Sequence, residues 1–578
     1  MCGIAAFSYC RQNQSLSKKF FDIEKFISHR GPENTGSFVN SHLNLLHTRL
    51  SIVDIKGGNQ PIENSKYVLI VNGEIYNDLE IRKKNKSYKY STLSDSESIL
   101  ALYDKKGLNA FKDLRGMYAF VLYDKKLDEV IIGRDEFGIK PLYFSKFKEG
   151  ILFCSEIKPI KNFMNSDCGL NIPKLSEFMQ LQYSTGTGTI YKNIHRVEPG
   201  QILVIKRGEI KKSILNSFKH ETKKKVNITN SFIEKSLSDS ISSHLRSDVP
   251  YCLFFSGGID SMLLLYYLHK FKKDNIAAFS VFFDNDSTDS IDKITKKYNI
   301  DLVKEKFTEN DFWEWIFFAA QKIDEPIADY AILPTFKLAA KASKNFKVAI
   351  TGEGGDELFG GYGRYKKTQR MFFKKSDYLP KGAFDKVLKN KKFINWEYEL
   401  KNINSFLSDN KFSLLQKFQL FDYYNWLPNN LLVKLDRCLM TYGMEGRTPF
   451  IDKKLFNDLF QASDHKKISK GYAKYYIRKF LQSRIPELNF FNKKTGFSVP
   501  IYDWIPKKIN HLEELLLKQK FLQKYFSKDE LKYICQATRL NSKFSKPLWH
   551  IIFFTSWYLV NIIGLKKQGD FFDILSDC

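Results

Sequence analysis

The sequence predicts two sheet-containing units in one chain, an antiparallel α+β assembly followed by a doubly wound parallel α/β sheet. Short apolar runs separated by turns continue to about residue 205, a polar and charged stretch comes next, and strands then alternate with helices. The chain has 578 residues. Because a domain commonly has about 100–200 residues, more than one domain is expected.

The first unit is predicted to be an antiparallel sheet assembly because its apolar runs are short and closely spaced. Those runs include residues 67–71, 117–123, 130–132 and 151–153. Two helical stretches interrupt the runs, near residues 18–27 and 96–105. Residues 207–225 are polar and charged and end in three consecutive lysines. They are therefore the best candidate for an interdomain linker.

The second unit is predicted to be a doubly wound parallel sheet because strand and helix patterns alternate along it. An apolar strand at 251–255 leads through a tight turn at 256–261 into a helix at 262–271. The pattern continues with a strand at 277–283, helices near 311–323 and 334–343, and a strand at 347–351. Beyond about Tyr362 the sequence is predicted to be mostly helical.

The charge of the chain raises a nucleic-acid hypothesis. There are 91 Lys and Arg against 64 Asp and Glu, which leaves a net charge of +27, and such an excess is typical of nucleic-acid binders. The excess is mostly lysine scattered along the chain, and no recognisable RNA-binding module accompanies it. We interpret it as a solvated basic surface and expect no nucleic-acid partner, with tRNA binding kept as a rival hypothesis.

Cysteine usage and hydropathy favour a cytoplasmic protein. The eight cysteines form no C-x-x-C pair and no zinc-like spacing with histidine, which excludes a disulfide scaffold and fits a reducing compartment. The N-terminus lacks the regions of a signal peptide. Residues 548–565 are apolar but include His, Thr, Ser and Asn in helical rhythm. We expect a buried helix there, and no membrane partner.

The first motifs of the chain begin at Cys2. Removal of Met1 would leave the Cys2 thiol beside a free α-amine, whose pKa is ordinarily about 7.7–8.0. One residue would then hold both nucleophile and general base. Six motifs follow in order, at residues 29–32, 49–54, 72–77, 94–97, 134–143 and 155–158. Together they resemble the glutaminase domain of class II glutamine amidotransferases, which implies the αββα sandwich of the N-terminal nucleophile hydrolases.

This resemblance implies a role in glutamine hydrolysis for each matching residue. Cys2 would attack the glutamine amide and release ammonia, while Asn72 and the Gly73 backbone N–H would form the oxyanion hole. The planar fork of Arg49 suits the substrate α-carboxylate. Taken alone, Asn72-Gly73 would be interpreted as a hairpin turn. The other residues implied in the glutamine pocket are Ile52, Val53, Glu74 and Asp95.

Two further signatures lie in the predicted parallel-sheet unit. Residues 256–261, Ser-Gly-Gly-Ile-Asp-Ser, resemble the pyrophosphate-binding loop of ATP pyrophosphatases, in which backbone N–H groups and a helix N-terminus face an anion. Residues 351–362 resemble the matching loop of asparagine synthetases. The resemblance implies contacts to ATP from Phe254, Ser256, Gly257, Gly258, Asp260, Ser261, Val281, Thr351 and Gly352.

The same resemblance implies the metal-binding and catalytic groups of this unit. Asp260 and Asp356 would hold Mg²⁺ on the pyrophosphate, because carboxylate oxygens suit a hard cation. Glu353 would deprotonate incoming ammonium or assist formation of the acyl-adenylate, and Lys474 would stabilise charge on the reacting phosphate. Further matching motifs lie at 435–437, 445–452, 471–478 and 493–500.

The resemblance covers residues 2 to about 560. It implies a glutaminase domain at 2–205, a linker at 206–226 and an ATP-pyrophosphatase-type synthetase domain with a helical C-terminal region at 227–578. The implied reaction amidates aspartate through β-aspartyl-AMP and channelled ammonia, with glutamine and ATP as the other substrates. Gly355 replaces a serine of the best-known members, which leaves a sugar uronate or other cell-envelope carboxylate open as acceptor. Homodimerisation stays open as well.

Overall fold

The computed structural model describes residues 2–11, 14–164, 168–215, 228–271, 276–284, 289–369, 379–385, 387–388, 393, 395–407, 411–492 and 499–578. Residues 493–498 of the last sequence motif lie outside the described residues, as do residues 216–226 of the predicted linker. We call residues 2–215 the N-terminal part and residues 228–578 the C-terminal part.

Twelve described strands of the N-terminal part form two antiparallel sheets. In chain order they are β1 Cys2–Tyr9, β2 Asn34–Val39, β3 Leu43–Arg49, β4 Ile62–Glu63, β5 Tyr67–Ile75, β6 Gly116–Asp124, β7 Glu129–Arg134, β8 Tyr143–Phe147, β9 Gly150–Cys154, β10 His195–Arg196, β11 Gln201–Lys206 and β12 Glu209–Leu215. One sheet has the order β10-β8-β9-β1-β3-β2 and the other the order β12-β11-β7-β6-β5-β4.

The two sheets pack face to face, and helices cover the outer face of each. Along β1, Ile4 and Ala6 belong to the core between the sheets, whereas Ala5 and Phe7 pack on the helical side, as the two-residue period of a strand requires. The helices are α1 Gln14–Phe21, α2 Glu24–Ile27, α3 Asp78–Lys84, α4 Ser98–Lys106, α5 Ile157–Met164 and α6 Ile172–Leu181. The predicted αββα sandwich is confirmed.

The strand β12 lies at the edge of the second sheet. It pairs with β11 from Gln201 opposite Leu215 to Lys206 opposite Glu209. Its residues fall in the first half of the segment 206–226 that the sequence marks as a linker. The boundaries of the two domains stay a prediction.

The C-terminal part contains a parallel sheet of five described strands, as predicted. They are β13 Tyr251–Phe254, β14 Ile276–Phe282, β15 Ile300–Lys306, β16 Val348–Ile350 and β17 Glu445–Arg447. Their order is β15-β14-β13-β16-β17, with every neighbouring pair parallel. The chain changes direction across the sheet between β13 and β16. The carboxyl ends of these two strands therefore form the switch point at which doubly wound sheets bind ligands.

Helices cover both faces of this sheet, which confirms the doubly wound architecture. The helices around it are α7 Asn230–Ser243, α8 Ile259–Phe271, α9 Asp289–Lys297, α10 Glu309–Lys322 and α11 Ile332–Ala342. Cys252 and Ala349 belong to the hydrophobic core on the side of α10 and α11. Leu253 and Ile350 belong to the core on the side of α7 and α8.

The rest of the C-terminal part is mostly helical, as predicted, apart from β17 and the short pair Ile468–Ser469 and Tyr472–Ala473. Its helices are α12 Gly355–Phe359, α13 Tyr398–Leu407, α14 Leu414–Phe421, α15 Leu432–Met440, α16 Lys453–Leu459, α17 Asp464–Lys467, α18 Tyr475–Arg484, α19 Ile501–Lys507, α20 Ile509–Lys518, α21 Lys528–Leu540, α22 Ser545–Tyr558 and α23 Phe571–Ser576. π-Helical turns occur at Asp422–Leu431 and Leu559–Ile563.

Most of the apolar segment near the C-terminus, up to Leu559, is buried and helical, whereas Ile563 is exposed. Trp549 and Trp557 of α22 are fully buried, and Trp549 Nε1 donates to the carbonyl of Ala328 at 2.8 Å. Within the described ranges, no helix is long and apolar enough to cross a membrane.

Buried ion pairs join the two parts of the chain at α15. Arg30 contacts both carboxylate oxygens of Asp436, at 2.8 and 3.0 Å, and also Glu156 at 3.0 Å. Arg437, next along α15, pairs with Glu156 and donates to Asp324 at 2.7 Å. All five side chains are buried. The junction is therefore charged as well as apolar.

Candidate active sites

Cys2 is placed where the two sheets of the N-terminal part meet. It begins β1, stands opposite Arg49 on β3, and is buried. Its backbone N–H donates to Asn72 Oδ1 at 3.1 Å, and Asn72 belongs to β5 of the other sheet. Burial raises the pKa of the Cys2 thiol. A base at hand, such as the α-amine that Met1 removal would create, is therefore needed to form the thiolate.

Asn72 has one polar atom in use and one unused. Its Oδ1 holds the Cys2 N–H, but its Nδ2 is buried with no hydrogen-bond partner among the described residues. An unsatisfied buried donor costs roughly 1–3 kcal/mol of stability. The Asn72 amide is therefore suited to donate a hydrogen bond to an oxygen of a bound molecule. Both Asn72 and Gly73 lie inside β5, not in a hairpin turn.

Gly73 allows two strands to approach closely beside Cys2. Its φ is +153°, and a Cβ built there would lie 2.0 Å from the Met117 carbonyl oxygen of β6. A side chain at this position would push the strands apart. Glycine is therefore required at this position for β5 and β6 to pair as they do.

The Arg49 guanidinium is held by the loop that follows β3. It donates to the backbone carbonyls of Asp54 at 2.6 Å and Ile55 at 3.0 Å, and to Asn59 Oδ1 at 2.8 Å. Ile52 and Val53 of the same loop are buried. The loop also contacts the C-terminal part, since the Ile52 carbonyl accepts the N–H of Asp248 at 2.9 Å.

Two buried carboxyl groups complete this site. Asp95 accepts the Ile75 N–H at 2.6 Å, and burial raises its pKa to about 6. Burial, and then Asp95, raise the pKa of Glu74 well above its ordinary value. Arg447 of the C-terminal part lies 3.3 Å from Glu74. A thiol, an unused amide donor, a guanidinium and two acids thus converge, which suits an amino acid with a side-chain amide.

The second site lies at the carboxyl ends of β13 and β16. The loop after β13 turns at Gly257, whose φ is +67°, and leads into α8. Ser256 Oγ accepts the Gly258 N–H at 3.3 Å, and Ser261 Oγ donates to the Gly258 carbonyl at 3.0 Å. These bonds shape the loop at the helix N-terminus, where partial positive charge favours a phosphate.

The other residues predicted to contact ATP lie at the same edge of the sheet. Phe254 ends β13, and Val281 is buried near the end of β14. Thr351 follows β16 and donates its N–H to the Arg447 carbonyl at 2.9 Å. A Cβ built at Gly352 would lie 3.1 Å from Asp260 Cβ. The two signature loops therefore touch each other.

Lys474 joins the two aspartates predicted to hold metal. Its Nζ lies 2.5 Å from Asp260 Oδ2 and also pairs with Asp356. Burial alone would lower the pKa of Lys474, but the two carboxylates raise it above its ordinary value. Asp260 Oδ1 is buried with no hydrogen-bond partner among the described residues. An orphaned carboxylate oxygen beside a second carboxylate fits a hard cation such as Mg²⁺.

Glu353 has a buried cationic neighbour that the sequence did not reveal. Lys434 Nζ of α15 lies 3.9 Å from Glu353 and 3.1 Å from Asp329. Burial raises the pKa of Glu353, while Lys434 opposes the rise. Lys434 stands immediately before the motif 435–437, which is the one sequence signal that could have pointed to it.

The glycine at position 355 fits tightly against the first signature loop. A Cβ built there would lie 2.5 Å from Asp260 Oδ1. A serine at position 355, as in the best-known members of the family that this loop resembles, would therefore require the Asp260 side chain to move from the position it occupies in this chain.

Two family models match this chain. The family model described as asparagine synthase matches residues 233–559, and that described as a glutamine amidotransferase domain matches residues 1–217. Glutamine-hydrolysing asparagine synthetase 1 of Bacillus subtilis is 30% identical over 594 residues, covering 93% of each chain. Asparagine synthetase B of Escherichia coli is 27% identical, covering 87% of this chain and 83% of its own.

A solved structure of the B. subtilis glutamine phosphoribosylpyrophosphate amidotransferase, complexed with ADP and GMP, is a distant match. It is 16% identical, with a TM-score of 0.29, and covers 48% of this chain and 65% of its own. The family assignment rests on the sequence matches alone: with more than half its length in the family model, this chain belongs to the asparagine synthase family.

Proposed function

We propose that this chain is a glutamine-hydrolysing asparagine synthetase, in which ammonia released at Cys2 amidates an aspartate carboxylate activated by ATP. One observation carries the proposal. The strand β17 lies in the parallel sheet at whose edge ATP would bind, yet Arg447 at its end lies 3.3 Å from Glu74 in the site around Cys2. Arg447 therefore lies next to both the glutamine site and the ATP site of this proposal. The glutaminase domain would span 2–205, the linker 206–226 and the synthetase domain 227–578.

Glutamine hydrolysis would begin with removal of Met1. The α-amine of Cys2 would keep its hydrogen bond to Asn72 Oδ1 and accept the thiol proton. The thiolate would attack the amide carbon, and Asn72 Nδ2 and the Gly73 N–H would donate to the oxyanion. The C–N bond would then break, with the proton passing from the amine to the leaving ammonia. Water would hydrolyse the thioester to glutamate.

Substrate recognition would use the fixed charges around the thiol. Arg49, held by backbone carbonyls, would bind the α-carboxylate, while Glu74 and Asp95 would bind the α-ammonium and the amide. Ile52 and Val53 would form the wall of the pocket. The buried setting strengthens each of these contacts because little water competes for them.

At the second site an aspartate carboxylate would attack the α-phosphate of ATP and displace pyrophosphate. Phe254, Val281, Thr351 and Gly352 would contact the adenosine, and the loop Ser256–Ser261 would hold the pyrophosphate. Asp260 and Asp356 would hold Mg²⁺, which supplies charge neutralisation when bound. Lys474 would stabilise the reacting phosphate.

Ammonia would then attack the acyl-adenylate, with AMP leaving and asparagine forming. Glu353 would take the proton from the incoming nitrogen, which its raised pKa suits. Because ammonia protonated by bulk water is no longer a nucleophile, it would have to pass from Cys2 to the Thr351 loop without reaching bulk water. The names of the relatives favour aspartate over a sugar uronate as acceptor.

The test of this function is AMP release in the presence of ATP and candidate acceptors. Cys2→Ala should abolish glutamine-dependent AMP release and keep ammonia-dependent release, because it removes the nucleophile alone. Cys10→Ala, at a partly exposed cysteine just beyond β1, serves as the matched control and should keep both. AMP release that does not depend on added aspartate would contradict aspartate as the acceptor. Glutamine-dependent release by Cys2→Ala would contradict the nucleophile.

A further inference from the structure

The backbone of β17 fixes the start of the second signature loop. This strand pairs with β16, placing Arg447 opposite Ile350. The Arg447 carbonyl accepts the Thr351 N–H at 2.9 Å and the Thr351 hydroxyl at 3.3 Å. Thr351 is the first residue after β16 and begins the loop that reaches Asp356. A shift of this loop therefore acts directly on the Arg447 backbone.

The side chain of Arg447 extends to the other site. Its Nη2 lies 3.3 Å from Glu74 Oε1. The Nε donates to Glu445 at 2.5 Å, and Nη1 donates to the carbonyls of His244 at 2.7 Å and Arg246 at 2.5 Å. The side chain is fully buried. With these contacts fixing the guanidinium, it has little freedom to absorb a movement of its own backbone.

The positive charge of Arg447 favours the ionised form of Glu74. Burial and the neighbouring Asp95 raise the pKa of Glu74, and Arg447 is the strongest influence that lowers it. Conversely, Glu445 and Glu74 raise the pKa of Arg447 against its burial. Without the guanidinium, the buried pair Glu74 and Asp95 would hold less negative charge. The site would then bind the α-ammonium of glutamine less tightly.

We propose that Arg447 is a positioning residue that couples the two sites, so that nucleotide bound at the Thr351 loop strengthens glutamine binding at Glu74. The inference rests on the proposed function of each site. Two hydrogen bonds from Thr351 to the Arg447 carbonyl and one ion pair from the Arg447 side chain connect Thr351 to Glu74. Because coupling between binding sites is reciprocal, glutamine should raise the affinity for nucleotide by the same factor.

The experiment measures glutaminase activity alone, as glutamate release, with and without an ATP analogue that cannot be cleaved between its α and β phosphates. In the wild type the analogue should lower KM for glutamine by about fivefold or more, the lower end of ordinary coupling. In Arg447→Met the KM should be raised and the analogue should no longer change it. Arg447→Lys should restore part of the affinity, since it keeps the charge without the fork.

Two controls separate coupling from misfolding and from failure of the function. Arg115→Met removes another ion pair between the two parts, to Asp452 at 2.7 Å, and should keep the response to the analogue. In Glu74→Gln the effect of Arg447→Met should disappear, because the pair is already broken. The coupling would be overturned if the analogue leaves the wild-type KM for glutamine unchanged. It would also be overturned if the analogue lowers this KM in Arg447→Met as much as in the wild type. Absence of wild-type glutaminase activity would instead overturn the function.

Discussion

Replacing Asn72 tests the oxyanion hole most directly, because its two polar atoms have different tasks. Oδ1 accepts the Cys2 N–H at 3.1 Å, and Nδ2 is buried without a hydrogen-bond partner in the described part of the chain. Asn72→Ala removes both atoms. Asn72→Asp keeps an acceptor toward Cys2 but replaces the donor by an oxygen, which would face a developing negative charge.

The magnitude follows from the loss of one donor. Removing an oxyanion-hole donor typically costs about 2.7–4 kcal/mol in the barrier. At about 1.36 kcal/mol per tenfold, the glutaminase kcat of Asn72→Ala should fall by roughly 10²–10³. Asn72→Asp should fall at least as far, although it keeps the contact to Cys2. In Asn72→Ala the loss of an unsatisfied buried donor and the loss of the acceptor for the Cys2 N–H act on stability in opposite directions, at about 1–3 kcal/mol for each buried group.

The assay is glutamate release at saturating glutamine, with ammonia-dependent AMP release as a check on the second site. Asn77→Ala is the matched control: it lies two residues beyond β5, and both its polar atoms are bonded, to the Asp113 carbonyl and the Arg115 N–H. It should keep wild-type kcat within a few fold. A kcat for Asn72→Ala within threefold of wild type would refute the assignment of Asn72 as an oxyanion donor.

Two further predictions concern pH and the metal loop. Burial raises the pKa of Asp95 to about 6, and only its ionised form attracts an ammonium, so KM for glutamine should rise about tenfold per pH unit below 6. Asp95→Asn should raise KM and flatten this pH profile. A flat wild-type profile would contradict binding of the α-ammonium by Asp95. Gly355→Ser should displace Asp260, whose Oδ1 would lie 2.5 Å from the new Cβ. At about 0.5–1.5 kcal/mol for a displaced rotamer, KM for ATP in ammonia-dependent synthesis should rise about two- to tenfold, and an unchanged KM would refute the steric conflict.

Apolar patterns predicted most of the sheet framework, and motifs predicted which residues gather at each site. The apolar run at 67–71 lies within β5, the run at 251–255 includes β13 and one residue beyond it, and Cys2 does lie beside Asn72. The roles of these residues remain predictions.

Two strands of the parallel sheet escaped prediction for a physical reason. β15 is an edge strand in which lysine and glutamate interrupt the apolar alternation. β17 has three residues, and Glu445 and Arg447 are buried as an ion pair. A hydrophobic pattern detects neither, because charge pairing or partial exposure stands in for apolar burial. Lys434 was missed likewise, since only tertiary packing brings it to Glu353.

The ion pairs at α15 limit how freely this chain can be recombined. Arg30 and Glu156 belong to the N-terminal part, and Asp436 and Arg437 to the C-terminal part. Joining either part to a substitute that lacks the matching charges would leave buried charges without partners, which is destabilising by about 3–5 kcal/mol for each pair that loses one partner. The N-terminal part can therefore be fused to a different C-terminal part only if that part supplies a carboxylate and a guanidinium at the positions of Asp436 and Arg437. In this chain, charge complementarity at α15 limits which parts can be exchanged.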